Sequence, residues 1–139
     1  MLLSVSDVQL VSLPHYFEEN GDLVVMQEVV NIPFKIVRVF VVRAPFNAIR
    51  GEHAHRACSQ FLTCPTGTIE VICDDGHNKT TYFLNHPNVG LLLPPTIWAQ
   101  QTYKTPGAVL TVLCDKPYDA NDYIRDYEEF KIFRQINMI

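Results

Sequence analysis

Gly51-Glu52-His53-Ala54-His55-Arg56-Ala57-Cys58-Ser59-Gln60, running on to Gly67, is the stretch from which the fold and the chemistry are both read. In an extended chain alternate residues share a face, so His53 and His55 point to the same side, about 7 Å apart along the backbone. Imidazoles placed in this way can bind a metal or pass protons near neutral pH. An apolar β-type run follows directly. A histidine pair leading into such a run reads as a functional pair rather than as two satisfied core residues.

Outward from this stretch the chain reads as short β segments separated by turns. Expected strands are Leu23–Val30, Ile36–Arg43, Ala57–Cys64, Thr68–Asp74, Lys79–Leu84, Val89–Leu93, Ile97–Tyr103 and Ala108–Cys114. Asn20-Gly21, Asn31 to Pro33, Pro65-Thr66-Gly67, Asp74-Asp75-Gly76, His86-Pro87-Asn88, Pro94-Pro95 and Pro106-Gly107 punctuate them. Strands of this length and spacing predict an all-β sandwich or barrel of antiparallel strands. One short helix is expected near the C-terminus, capped by Asp119 or Asn121, with Tyr123, Ile124, Tyr127 and Phe130 on one stripe. It would cover the barrel or meet a second subunit. Asp122 and Arg125 read as capping and surface charges. Asp74-Asp75-Gly76 reads as a hairpin turn, and Glu28 as a solvated carboxylate.

With no repeat, linker or low-complexity tract, the 139 residues form one expected domain, 1–139. Hydrophobic residues make up 47% and charged residues 19%, which excludes a disordered chain. A net charge of −4 argues against a nucleic-acid surface. No apolar run approaches the ~20 residues of a membrane span, and the start lacks a basic leader. The expectation is a soluble cytoplasmic protein. Cys58, Cys64, Cys73 and Cys114 form no C-x-x-C pair and read as small buried hydrophobes.

The strand Ile36–Arg43 carries one unusual residue. Ile36, Arg38, Phe40 and Val42 share one face; Val37, Val39 and Val41 share the other. Both faces are apolar except for Arg38. A buried arginine needs an anion: either it points into a ligand cavity and grips a phosphate, or it sits in an internal salt bridge or at an exposed edge. The second alternative is the commoner one for an arginine taken alone.

The histidine stretch resembles the first motif of the cupin superfamily, a double-sheet jelly roll: Gly, His-x-His, then four residues to Gln60 and six more to Gly67. Gln60 stands where metal-binding cupins have Glu. In the second motif, matched by Pro94-Pro95-Thr96-Ile97-Trp98-Ala99, Ala99 stands in place of His. A catalytic metal needs about three protein ligands and an open position. Two imidazoles and an amide serve that poorly, so no metal is expected and the histidines are free for acid–base work.

The order Asn31-Ile32-Pro33-Phe34-Lys35-Ile36-Val37-Arg38-Val39-Phe40, Arg50-Gly51-Glu52-His53-Ala54-His55, Asp74-Asp75-Gly76, Val89-Gly90-Leu91, Pro95-Thr96-Ile97-Trp98 and Asp122-Tyr123-Ile124-Arg125-Asp126-Tyr127 resembles the dTDP-4-keto-6-deoxyglucose 3,4-ketoisomerases, WxcM-like cupins. The resemblance implies a cupin double-stranded β-helix with a short C-terminal helix. It implies an isomerase that moves a keto group from carbon 4 to carbon 3 of a dTDP-linked 6-deoxyhexose, without metal or redox cofactor. The product would feed aminotransferases that make 3-amino sugars for surface polysaccharides. His55 would be the main proton shuttle and His53 would orient or polarise a sugar oxygen. Arg38 and Arg50 would hold pyrophosphate or sugar, and Gln60, Phe40 and Trp98 would line the substrate site. Homodimers, often with exchanged N-terminal strands, are implied as well. Three positions differ from the family pattern: Phe40 for Tyr, Asn20 for Arg and Ala99 for His. A non-catalytic dTDP-sugar-binding cupin, or a sibling epimerase or isomerase of altered stereochemistry, is the alternative.

Overall fold

The computed structural model describes residues 2–137. Its strands in chain order are β1 (Gln9–Ser12), β2 (His15–Glu18), β3 (Gly21–Val24), β4 (Arg38–Arg43), β5 (Ile49–His55), β6 (Gln60–Thr66), β7 (Ile69–Asp74), β8 (Lys79–Leu84), β9 (Val89–Leu93), β10 (Trp98–Tyr103), β11 (Val109–Cys114) and β12 (Tyr123–Ile124). One helix, α1, spans Tyr127–Ile136. One sheet has the order β1-β9-β6-β11-β4 and the other β12-β5-β10-β7-β8; β2 and β3 form a separate hairpin. Every strand pairing is antiparallel. This is the all-β jelly roll with one short terminal helix that the turn spacing and the motif resemblance predict.

Period-two alternation explains how the layers pack. Leu62, Cys64, Val71, Cys73, Leu91, Ala99, Leu110 and Val112 turn inward into the core between the sheets. Residues of opposite parity are covered from outside by two different devices. The N-terminal segment packs Leu13, Met26 and Ile32 over Phe61 and Leu113. On the other sheet, α1 lays Phe130, Tyr127 and Phe133 over Ala54, Trp98 and Ile124. The central strand β6 is therefore buried on both faces from Gln60 to Cys64. No helix among the described residues is long and apolar enough to cross a membrane.

The expected strands from Ile36 onward are all present, β8 and β9 with the expected bounds. Leu23–Val30 is not one strand. Its pairing ends at Val24, and the chain then turns sharply, with Val29 at φ 69° and its N–H on the Ile32 carbonyl at 2.6 Å. The Asn31 side chain accepts the Gln27 N–H at 3.0 Å, a local bond that competes with ladder pairing. Strands β1, β2, β5 and β12 are not among the expected ones: β1 and β2 are four residues each, mostly exposed and separated by Pro14, β5 is mostly polar, and β12 is two residues long.

The helix also begins later than expected. Asp119 caps a 3₁₀ turn at Ala120–Asp122, Tyr123 and Ile124 pair with β5, and Asp126 is the cap of α1, accepting the Glu129 N–H at 3.0 Å. Asp74-Asp75-Gly76 is the β7–β8 turn. Glu28 is exposed and accepts the Ile36 N–H at 3.0 Å.

Candidate active site

The register of β5 is set by a bulge. Ala99 opposes His53 but Gln100 opposes Gly51, so Glu52 is an extra residue. Gly51 (φ 82°) and Glu52 (φ 58°) both adopt left-handed backbone. A Cβ on Gly51 would lie 2.5 Å from Gln101 Oε1 and 3.0 Å from the Ala99 carbonyl, so glycine is required there. The bulge shifts the alternation by one. His53 and His55 face inward on one side of it, and on the other side Arg50, opposite Gln101, faces inward too.

The inward residues enclose a cavity of 190 Å³, lined by Arg50, His53, Gln60, Gln101, Tyr123 and Arg125 with apolar walls that include Phe40 and Val42. The His53 and His55 rings meet edge to face, 5.0 Å between centroids. Tyr123 flanks both, 5.0 Å from His53 and 4.4 Å from His55, and the Arg125 guanidinium covers its ring at 4.2 Å. Arg38 is half-buried on the same face and donates from Nη2 to Tyr123 Oη at 3.3 Å. Its guanidinium lies over the rings of Phe40 and Tyr118. It has no carboxylate partner among the described residues. Arg38 thus makes no internal salt bridge among the described residues; from the edge strand β4 it turns to Cys114 and Tyr123.

His55 Nδ1 lies 2.8 Å from Asp122 Oδ2. The other Asp122 oxygen accepts the Ala57 N–H at 2.7 Å. A carboxylate only accepts, so the proton sits on Nδ1 and the lone pair on Nε2. That Nε2 is buried and has no protein partner. Burial is the main force holding the His55 imidazole below its ordinary range. Arg38 and Arg125 add to it, and Asp122 pulls the other way. His53 is pushed down to about 4, first by burial and then by the neighbouring His55, with the Gly51 backbone offsetting part of this. Both rings are therefore neutral at pH 7, one of them a base with a free lone pair.

His55, Cys58 and Asp122 bring one donor atom each within 4.8 Å of one another. Of the three, His55 and Asp122 are hydrogen-bonded to each other, while Cys58 donates to the Ser59 carbonyl at 3.3 Å. Gln60 is buried and offers a neutral amide.

The structure thus gathers His53, Arg50, Gln60 and Phe40 around one cavity, with His55 behind His53 and Tyr123 and Arg38 bonded to Tyr123. Trp98 is the exception. It lies on the opposite face of β10 from Ala99, under α1, with ring centroids 5.2 Å from Tyr127 and 5.6 Å from Phe130. It is a packing aromatic, because its position in the alternation turns it away from the histidines. Asp122, Tyr123 and Arg125 were read from the sequence as cap, helix stripe and surface charge, yet all three reach the site. Their signal was present in the Asp-Tyr-Ile-Arg block, which stands out as specific.

The family model described as FdtA: WxcM-like, C-terminal matches residues 6–135. A TDP-4-oxo-6-deoxy-alpha-D-glucose-3,4-oxoisomerase of Aneurinibacillus thermoaerophilus is 36% identical over 124 residues, 88% of this chain and 89% of that one. The sugar 3,4-ketoisomerase QdtA from Thermoanaerobacterium thermosaccharolyticum, solved in complex with TDP, superposes with a TM-score of 0.90 at 29% identity, covering 96% of this chain and 98% of that one. A histidine-to-asparagine variant of QdtA, solved with TDP-4-keto-6-deoxyglucose, superposes at 0.91 and 28% identity, covering 100% and 99%.

Proposed function

This chain belongs to the FdtA family, WxcM-like C-terminal, and from that premise we propose that it is a sugar 3,4-ketoisomerase converting a dTDP-4-keto-6-deoxyhexose to its 3-keto isomer. The observation that carries the reading is His55: its Nδ1 is committed to Asp122, and its Nε2 is buried without a partner beside His53 and Tyr123, which line an arginine-rimmed cavity. Its relatives' complexes with TDP and with TDP-4-keto-6-deoxyglucose support the substrate class.

In this mechanism His55 Nε2 removes the proton from carbon 3, beside the carbonyl at carbon 4. The resulting enediolate transfers a proton between its two oxygens. The imidazolium, whose proton exchanges with solvent, then delivers a proton to carbon 4, leaving the carbonyl at carbon 3 with no net change in composition. Asp122 stabilises the imidazolium between the two steps and keeps the ring in the competent tautomer. His53, neutral, donates to the developing oxyanion. Arg38, Arg50 and Arg125 face the diphosphate, which explains how an acidic protein takes an anionic substrate. The Gln60 amide is available to a sugar hydroxyl. No metal is needed for any of these steps.

Residues 1–139 act as one cupin domain in this reading, and the 3-keto product is the substrate of an aminotransferase forming a 3-amino deoxysugar in the cytoplasm. A homodimer completes it. β4 is an edge strand, and its outward Val37, Val39 and Val41 are 47%, 55% and 58% exposed, an apolar row suited to a second copy. β1 pairs with β9 of its own chain, so an exchange of N-terminal strands would replace a pairing by its equal.

The test is a proton NMR time course with dTDP-4-keto-6-deoxyglucose in deuterated water, beside His55→Asn. The expected result is a 3-keto product deuterated at carbon 4, slowed about 10³-fold in the variant. Undiminished turnover in the variant, or no conversion by the native protein, overturns the reading.

A further inference from the structure

Cys114 lies beneath Arg38 at the inner end of β11, fully buried, and the chemistry above makes no use of it. The sheet places it directly between Arg38 on β4 and Gln60 on β6, as cross-strand partner of both. Arg38 Nη2 donates to its sulfur at 3.6 Å and Gln60 Nε2 at 3.5 Å. The Cys58 thiol donates to the Ser59 carbonyl at 3.3 Å. Two N–H donors, one of them cationic, converge on one sulfur atom, and a neutral thiol is a weak acceptor for either. Arg38, meanwhile, is half-buried with no carboxylate beside it among the described residues, and an anion at its side would stabilise it.

We propose that Cys114 is a resident thiolate, the counter-ion that holds Arg38 in position to receive the substrate's diphosphate. It is a positioning residue, and the assignment rests on reading Arg38 as the anion clamp. The ion pair accounts for the posture of the clamp. Nη2 is tied to Cys114 and to Tyr123 Oη, the guanidinium lies against Phe40, and Nε remains buried without a protein partner, free for a ligand oxygen. The charges around the sulfur agree. The neighbouring Cys58 is the largest influence drawing Cys114 down to about 6; Gln60 and Arg38 add to it against the opposition of burial. Cys58 is driven the other way, by Cys114, by burial and by Asp115, and stays a thiol that donates to the Ser59 carbonyl. His55 and Asp122 lie on the far side of Cys58 and satisfy each other.

The experiment is a pH titration of thiolate ultraviolet absorbance on the native protein, Cys114→Ser, Cys58→Ser and Arg38→Gln, with TDP affinity by calorimetry. The expected result is one thiolate appearing with a midpoint near 6 in the native protein. The step is absent in Cys114→Ser, retained in Cys58→Ser, and moved upward in Arg38→Gln. TDP binding by Cys114→Ser is expected to weaken about tenfold, with KM raised and kcat within about twofold. A native step only in the ordinary range near 9 overturns the proposal, as does a step that survives Cys114→Ser or a Cys114→Ser protein that binds TDP normally. Should Cys114→Ser not fold, the native and Arg38→Gln titrations decide. The titration and the TDP affinity need no turnover, so a protein with the thiolate and TDP binding but no isomerase activity would sink the ketoisomerase reading alone.

Discussion

Two loops of this protein are each organised around aspartate, and they do different work. In the loop before β12, Asp122 accepts one backbone N–H and the His55 imidazole. In the β7–β8 turn, Asp75 accepts the N–H groups of His77, Asn78 and, from the chain start, Val5, while Asp74 accepts Gly76 N–H and the Tyr127 hydroxyl. The chemistry is the same: short, charge-assisted bonds to a partly buried carboxylate. What separates them is the partner. Asp75 holds backbone N–H groups, which do not titrate, so it ties the N-terminal turn to the sheet, as Asp74 ties α1. Asp122 holds a titratable ring whose other nitrogen is buried without a partner, so the same bond fixes a tautomer. A carboxylate becomes functional through what its partner presents on the far side.

The comparison is broken most sharply by Asp122→Asn. The amide can present its nitrogen to Nδ1 and reverse the tautomer, removing the base from Nε2. A loss of about 10²–10³ in kcat is expected, 3–4 kcal/mol in barrier, with a small change in melting temperature. Steady-state kinetics beside thermal unfolding check this.

Acid separates the two regions next. His53 is neutral when folded and its ordinary protonation range lies near 6.5, so the unfolded chain binds the extra proton first. Stability is expected to fall as pH drops from 6.5 towards 4, by about 2–3 kcal/mol, and His55 acts with the same sign. In Asp75, burial opposes the charge, but the three N–H groups outweigh it and hold the carboxyl below 3.8. Its contribution is intact above that value and is lost only below it. Denaturant unfolding across this range should therefore show the His53 slope first, and His53→Gln should flatten that slope alone.

Asp75→Ala leaves three backbone N–H groups unpaired and should cost about 2 kcal/mol of stability with kcat within about twofold. An equal loss of kcat would mean that the turn and the site are not separable. The smallest effect belongs to Trp98→Phe, about 1 kcal/mol in unfolding and none in KM, because its ring meets Tyr127 and Phe130 rather than the cavity. A raised KM would return Trp98 to the substrate site.

Much of the fold was legible because alternation and turn chemistry are local. His53 and His55 share a face by parity alone, and Arg38 shares one with Phe40 and Val42 for the same reason. Trp98 was misplaced although parity separates it from Ala99, because the motif was read as a block. Arg50 could not be placed by alternation, since a single bulged residue at Glu52 moves every later side chain to the other face.

From its sequence alone, then, this chain determined its antiparallel strands, the inward histidine pair and its family, each carried by patterns within about ten residues. Only the tertiary structure decided that Asp122 meets His55, 67 positions away, that Tyr123 is a strand residue opposite His55 rather than the start of a helix, and that Cys114 rather than a carboxylate lies under Arg38. Those pairings depend on which strands become neighbours when the roll closes, and closure is a property of the whole chain's packing that no local pattern encodes.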